Sequence, residues 1–315
     1  MSSRTAPTQR VFVQPKQFVA SAEAMQQAWS MDQAQAYTRW LARHHYENFH
    51  VVSALLPARL HQDFYNVYAF CRWADDLGDE IGDRAESLRL LAWWRGELRA
   101  MYGGGAATHP VFVALRETVA RHDLPAAPFD DLITAFVQDQ TVTRYRDWDE
   151  VGGYCVNSAN PVGRLVLMLC GYRDEERFRL SDATCTALQL ANFWQDVTVD
   201  LDKGRIYLPL ELFARHGYTV EELTARRCTP AFRAVMRDAV ERAQRLFEAG
   251  LPLVRTLNRR LALDIDLFQR GGLRVLEKIR AQDYDVLSRR PAISRSERIG
   301  LLAGSLWRVA LMRTL

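Results

Sequence analysis

The chain has 315 residues, 48% of them apolar and 25% charged, enough to bury a sizeable core in one large helical domain or two smaller ones. Its 41 Lys and Arg against 38 Asp and Glu leave a formal net charge of +3, which argues against a general nucleic-acid binder and leaves anionic small substrates open. Cys71, Cys155, Cys170, Cys185 and Cys228 are odd in number, lack C-x-x-C spacing and fall mostly in apolar helical runs, so they read as buried free thiols of a reducing cytoplasm.

The N-terminal stretch scatters Arg4, Arg10 and Lys16 among polar residues without an apolar signal core. A cytoplasmic protein is expected, with residues 1–20 poorly ordered and residues 21–315 forming a single domain. Helical periodicity runs through Ala22 to His44, Ala58 to Gly82, Ser87 to Tyr102, Val111 to His122, Phe129 to Arg144 and Trp148 to Leu169. Punctuation falls at Pro57, at Gly103-Gly104-Gly105 with Pro110, and at Pro125 with Pro128, while Asp147 and Glu150 have capping-box spacing. The longest uncharged stretch, Val151 to Gly163, is too short and polar to span a bilayer. After Gly171 the pattern resumes from Ser181 to Asp202, breaks at Lys203-Gly204-Arg205 and Pro209, and continues through Pro230 to Leu257, Leu261 to Asp283 and Ser294 to Thr314. Strand alternation is nearly absent, so an all-α bundle of roughly ten helices is expected, a fold that builds sites from side chains on facing helices.

Two aspartate pairs, Asp75/Asp79 and Asp196/Asp200, have i, i+4 spacing, which places two carboxylates on one helix face. A solvated acidic face explains either pair alone. It fails for both together, because their surroundings are rich in Phe, Trp, Tyr, Leu and Val, and buried carboxylates without a cation are costly. A shared magnesium-diphosphate ligand explains both, since Mg²⁺ takes hard oxygen ligands while bridging carboxylates to substrate phosphates. Arg72 lies one turn before Asp75 and Tyr68 two turns before it; Asn192 lies one turn before Asp196 and Gln189 one turn before Asn192.

Asp75-Asp76-Leu77-Gly78-Asp79, and Asn192-Phe193-Trp194-Gln195-Asp196-Val197-Thr198-Val199-Asp200 followed by Arg205-Ile206-Tyr207-Leu208-Pro209, resemble the two aspartate-rich motifs of the squalene and phytoene synthase family. The resemblance runs from about His45 to Tyr284. It implies an isoprenoid-synthase helical bundle around a central cavity, in which Asp75, Asp79, Asn192, Asp196 and Asp200 bind Mg²⁺ and diphosphate. It also implies that Tyr68, Arg72, Gln189, Gln195, Arg205 and Tyr284 lie near the substrate and that Tyr154 lies near the reacting carbons. The alternative for Tyr154 is a core tyrosine satisfied by a backbone carbonyl. Tyr65, Phe70, Trp73, Phe136, Phe193 and Trp194 are further candidates to line a dry cavity that holds a carbocation, although most aromatic stripes of this kind are ordinary core.

Where phytoene and dehydrosqualene synthases read His-Ser-x-Ser-Phe, this chain has His45-Tyr46-Glu47-Asn48-Phe49, which are expected to contact substrate. With Ser158-Ala159-Asn160-Pro161-Val162-Gly163 and Asn192-Phe193-Trp194-Gln195-Asp196, this resembles the bacterial hopanoid-pathway branch of squalene synthases and is similar to hydroxysqualene synthase. That branch implies ionisation of presqualene diphosphate and capture of the rearranged cation by water, with Tyr46, Asn48, Asn157 and Ser158 as sources of the polar group required and other hopanoid-pathway enzymes as partners. Gln195, where carotenoid synthases tend to carry arginine, suggests that one diphosphate subsite is weakened, as suits presqualene diphosphate better than two farnesyl diphosphates. No Gly-x-Gly-x-x-Gly follows a strand, so no NADPH requirement is expected. The alternatives are squalene, dehydrosqualene or phytoene synthesis from two prenyl diphosphates, and a catalytically silent scaffold, against which both intact motifs argue. The basic, amphipathic run Ser305 to Arg313 is expected either to pack on the bundle or to give peripheral contact with the inner membrane.

Overall fold

The computed structural model describes residues 12–44 and 56–311. In chain order they form α1 (Pro15–Val19), α2 (Ala22–Gln26), α3 (Met31–His44), α4 (His61–Asp79), α5 (Arg84–Tyr102), α6 (Pro110–His122), α7 (Ala127–Asp139), α8 (Trp148–Ser158) and α9 (Asn160–Leu169). There follow α10 (Glu175–Gln195), α11 (Val197–Asp202), α12 (Leu210–His216), α13 (Val220–Thr224), α14 (Pro230–Gly250), α15 (Arg259–Ala281) and α16 (Arg295–Leu311). Among the described residues the extended pairing is limited to an isolated bridge between Arg144 and Ile206, so the all-α expectation holds.

The helices outnumber those read from periodicity because local chemistry cuts several runs. Ser30 and Gln33 form a reciprocal capping box, at 3.2 and 3.3 Å, that restarts the chain into α3. Pro161 has no N–H to donate, and the run from Trp148 to Leu169 breaks just before it at Ala159. The next run begins earlier than expected, at Glu175, because Asp174 caps it by accepting from the Arg177 N–H at 3.0 Å. Asp147 likewise accepts from the Glu150 N–H at 2.9 Å, but Glu150 reaches back to the Arg146 N–H at 2.6 Å, so only half of the expected capping box forms. Residues 15–19 are helical in α1, and buried Phe18 meets Trp73 edge-on at 5.2 Å.

Two apolar clusters hold the bundle. In the first, Trp73 and Trp94 stack at 5.1 Å with 8° between planes, and His109 stands edge-on to both at 4.3 and 5.0 Å. Burial holds the His109 imidazole well below its usual pKa, so the ring is a neutral packing element. Phe70 and Trp73, candidates for a cavity lining, are fully buried in this cluster. The second cluster gathers around α10, which packs against α9, α14 and α15, and it buries Trp194 completely. The five cysteines are free; Cys155 is buried and the others half-buried.

Asp264 on α15 is 1% exposed, and neither carboxyl oxygen has a hydrogen-bond partner. Burial pushes its pKa up to about 8. The folded chain therefore holds a proton that the unfolded chain releases near pH 4, and this group costs stability increasingly as pH rises from about 4 to about 8. Asp264→Leu is expected to gain about 2 kcal/mol at pH 8 and to flatten that pH dependence. Urea unfolding at pH 5 and pH 8 checks it; a variant less stable than the parent at both would show that Asp264 is satisfied.

Candidate active site

Both aspartate pairs sit where a helix ends. Asp75 and Asp79 lie in the last turn and a half of α4, and Asp196 caps the C-terminus of α10. Helix carbonyls make these ends electronegative, so carboxylates there require cations. The second pair does not ride on one continuous helix: Asp196, at φ −107° and ψ 19°, separates α10 from α11. The Asp200 N–H still donates to the Asp196 carbonyl at 2.9 Å, which keeps the two carboxylates one turn apart.

Each cation comes from a definite place. Arg72 donates to Asp75 at 3.1 Å and also bonds buried Asp76, whose carboxyl is pushed up to about 6 by burial. Lys203 Nζ and Arg205 Nη2 each reach Asp79 at 2.9 Å. Arg290, from the loop after α15, bonds Asp196 through both Nε and Nη2, the latter at 3.2 Å. The segment carrying Lys203 and Arg205 is laced to the chain after α7: Ile206 N–H donates to Thr143 O at 2.9 Å, Leu210 N–H to Tyr145 O at 2.9 Å, and Arg144 to Gly204 O at 2.6 Å. Gln140, just past α7, donates to Gly78 O at 2.9 Å and ties the end of α4 to the same place.

Lys203 and Arg205 thereby stand between the two pairs. Burial raises the Asp79 carboxyl, but hydrogen bonds from Arg205 and Lys203 outweigh it and hold the group below its usual pKa. Burial and the Asp196 charge push Asp200 up to about 7 despite the pull of Lys203 and Arg205. Among the described residues Asp200 has no ion pair of its own.

Behind this charge network lies an aromatic one. Tyr154 and Tyr207 donate to the two oxygens of buried Asp139 at 2.7 and 3.1 Å, and burial pushes Asp139 up to about 6. Tyr154 is thus satisfied by a carboxylate, not by a backbone carbonyl, and burial beside Asp139 holds its phenol well above the usual range. Phe193 stacks on Tyr207 at 3.7 Å with 4° between planes, and Tyr154 lies 5.6 Å from Tyr207. Phe193, Asp200, Arg205 and Tyr207 line a narrow cleft of about 10 Å³.

The remaining expected site residues fall variously. Tyr68 and Gln189 are half-buried on α4 and α10, and Asn192 is exposed one turn before Asp196. Tyr284 stands under the Arg237 guanidinium at 5.4 Å. His45, Tyr46, Glu47, Asn48 and Phe49 lie outside the described residues. The Gln195 Nε2 donates to Pro291 O at 2.6 Å and so anchors the loop that delivers Arg290 to Asp196. This end of the site has a cation after all, supplied from 94 residues away. Arg290 also lines a cavity of about 370 Å³ with Arg274, Glu277, Lys278 and Arg289.

Lys203, Asp139, Tyr207 and Arg290 were not singled out from the sequence. A cationic break directly after an acidic pair is a readable signal for Lys203, and an acid closing the apolar run from Leu132 to Val137 is one for Asp139. Asp75, Asp79, Asn192, Asp196 and Asp200 are oxygen donors of the kind Mg²⁺ prefers. Among the described residues no three acidic, histidine or cysteine side chains already converge on one point. The donor set fits the ion nonetheless, because Asp200, crowded by Asp196 and Asp139, is the carboxylate that a divalent cation would relieve most.

Comparison with known proteins gives a consistent picture. A family model described as squalene/phytoene synthase matches residues 42–297. The phytoene synthase of Thermus thermophilus is 34% identical over 261 residues, 82% of this chain and 88% of its own length. The hydroxysqualene synthase of Rhodopseudomonas palustris is 34% identical over 243 residues, covering 76% of this chain and 82% of that protein. The crystal structure of squalene synthase HpnC from Alicyclobacillus acidocaldarius superposes with a TM-score of 0.76 at 46% identity, over 81% of this chain and 95% of that one.

Proposed function

The chain belongs to the squalene/phytoene synthase family, and from that membership we propose that it ionises presqualene diphosphate and captures the rearranged carbocation with water, giving hydroxysqualene. The observation that carries this reading is the convergence of both aspartate pairs on Lys203 and Arg205, a charge arrangement suited to one diphosphate.

Asp75, Asp79, Asn192, Asp196 and Asp200 would hold Mg²⁺, which would supply neutralisation of the leaving diphosphate. As that group seats, Arg72, Lys203, Arg205 and Arg290 exchange carboxylate for phosphate oxygens, with the planar arginines able to bind in two-pronged fashion. The diphosphate departs with the C–O bonding pair, and the carbocation left behind rests against the faces of Tyr154, Phe193 and Tyr207. Tyr154, bonded to Asp139 and held protonated by burial, contributes its ring and not a base. Water then adds to the rearranged cation and loses a proton, and no reductant such as NADPH is consumed. Ser158 is the group we assign to hold this water: it lies one turn after Tyr154 on α8, and its buried hydroxyl has no partner.

The second reading, condensation of two prenyl diphosphates such as farnesyl diphosphate, is favoured by Arg290, which restores a cation at the Asp196 end. Incubating the protein and Mg²⁺ with presqualene diphosphate or farnesyl diphosphate, without NADPH, separates the two by product mass. The expected product is an alcohol from the first and none from the second; efficient conversion of farnesyl to presqualene diphosphate overturns the assignment. Ser158→Ala is expected to shift product from the alcohol to the hydrocarbon formed when the cation loses a proton instead, with diphosphate release unchanged, and an unaltered alcohol fraction removes Ser158 from the account.

A further inference from the structure

Helix α16 has two apolar faces, and the fold uses one. Ser305 and Val309 are buried against the bundle, and Arg308 reaches Asp266 of α15 at 3.5 Å. On the other side Ile299 is 70% exposed and Trp307 68%, and Leu302, Leu306 and Leu311 are also exposed. At 100° per residue these side chains, with Ala303 and Ala310, fill the outward half of the helix. A contiguous apolar surface of this kind marks a docking face.

The charges indicate what docks there. Glu297, the one acid of α16, is turned inward to Arg274 and Lys278, at 2.7 and 3.0 Å. Arg295 and Arg298 are exposed and form no ion pair among the described residues. The outward face is therefore apolar and without an acid, and the N-terminal end of the helix carries two exposed, uncompensated cations, Arg295 on that face and Arg298 at its margin. A second copy docking face to face would have to present an acid to those arginines, and this face has none to offer. A bilayer surface meets both features, with acyl chains for Ile299, Leu302 and Leu306, the interfacial level for Trp307, and anionic headgroups for Arg295 and Arg298.

We propose that the outward face of α16 docks on the surface of an anionic lipid bilayer. No described helix is long and apolar enough to cross a membrane, so the contact is peripheral. Through Glu297 the docked helix is joined to Arg274 and Lys278, which line a cavity together with Arg290, the ion-pair partner of Asp196. The helix thus lies one layer from the candidate active site.

Flotation of the full chain with vesicles of phosphatidylcholine, alone or with about one-third phosphatidylglycerol, tests this at low salt. The full chain is expected to float with the anionic vesicles. Ile299→Ser/Leu306→Ser/Trp307→Ser is expected to lower the partition coefficient at least about tenfold on them. Arg295→Glu/Arg298→Glu is expected to lower it by about thirtyfold or more, on the anionic vesicles only. All these side chains are exposed, so thermal melting and diphosphate release in solution should stay at parental values and exclude misfolding as the cause. Equal flotation of the triple variant, or failure of the full chain to float, overturns the proposal. So does a solution dimer that the triple variant converts to monomer without any flotation, which would assign the face to a second copy.

Discussion

Asp79→Asn and Asp200→Asn are each expected to slow diphosphate release from presqualene diphosphate about a thousandfold, with the fold intact. Asp79 neutralises Lys203 and Arg205 in the resting protein, so its loss leaves both cations without their bonded carboxylate. Asp200 carries the opposite imbalance, a half-buried carboxylate that shares its surroundings with Asp196 and Asp139. Because its folded pKa of about 7 lies above the ordinary carboxylate value, binding of a divalent cation must displace a proton below that pH. Turnover at limiting Mg²⁺ should therefore climb with pH to about 7 and then flatten. Losses under tenfold in either variant, measured as steady-state diphosphate release, would remove that carboxylate from the site.

Asp139→Leu is expected to destabilise the fold by about 3 kcal/mol and to lower the melting temperature by several degrees. The substitution strips the shared acceptor from two buried phenols, Tyr154 and Tyr207, at the centre of the second apolar cluster. Asp139→Asn keeps one acceptor oxygen and should cost about half as much. Thermal melts of the two variants check the order, and a leucine variant as stable as the parent would mean that both phenols find other acceptors.

The acidic pairs are legible because helical spacing is local: four aspartates, Arg72 and Asn192 fall on stripes by their spacing alone. Chain breaks were less so. The interruption at Asp196 leaves the i, i+4 hydrogen bond to Asp200 in place, so periodicity passes through it unmarked. Pro161 did mark its own break, yet the apolar pattern on either side reads as one helix. Arg290 was invisible for a different reason. It meets Asp196 only because the turn after α15, with Asp283 and Tyr284 at φ 53° and 61°, folds the chain back and Gln195 holds Pro291. A glutamine that looked like a missing charge is the anchor for one. The aromatic candidates divided by depth: Phe70, Trp73 and Trp194 are core, while Tyr154 and Phe193 stand with Tyr207 beside the charged network.

Whether both pairs serve one diphosphate is decided by a double-variant cycle on diphosphate release, comparing Asp79→Asn, Asp200→Asn and the two combined. If the pairs grip a single group, the first loss already disables the unit, and the double variant should fall no more than about tenfold below the worse single variant. Losses that multiply, to about a millionfold, would mean that the pairs act independently and would contradict the single clamp.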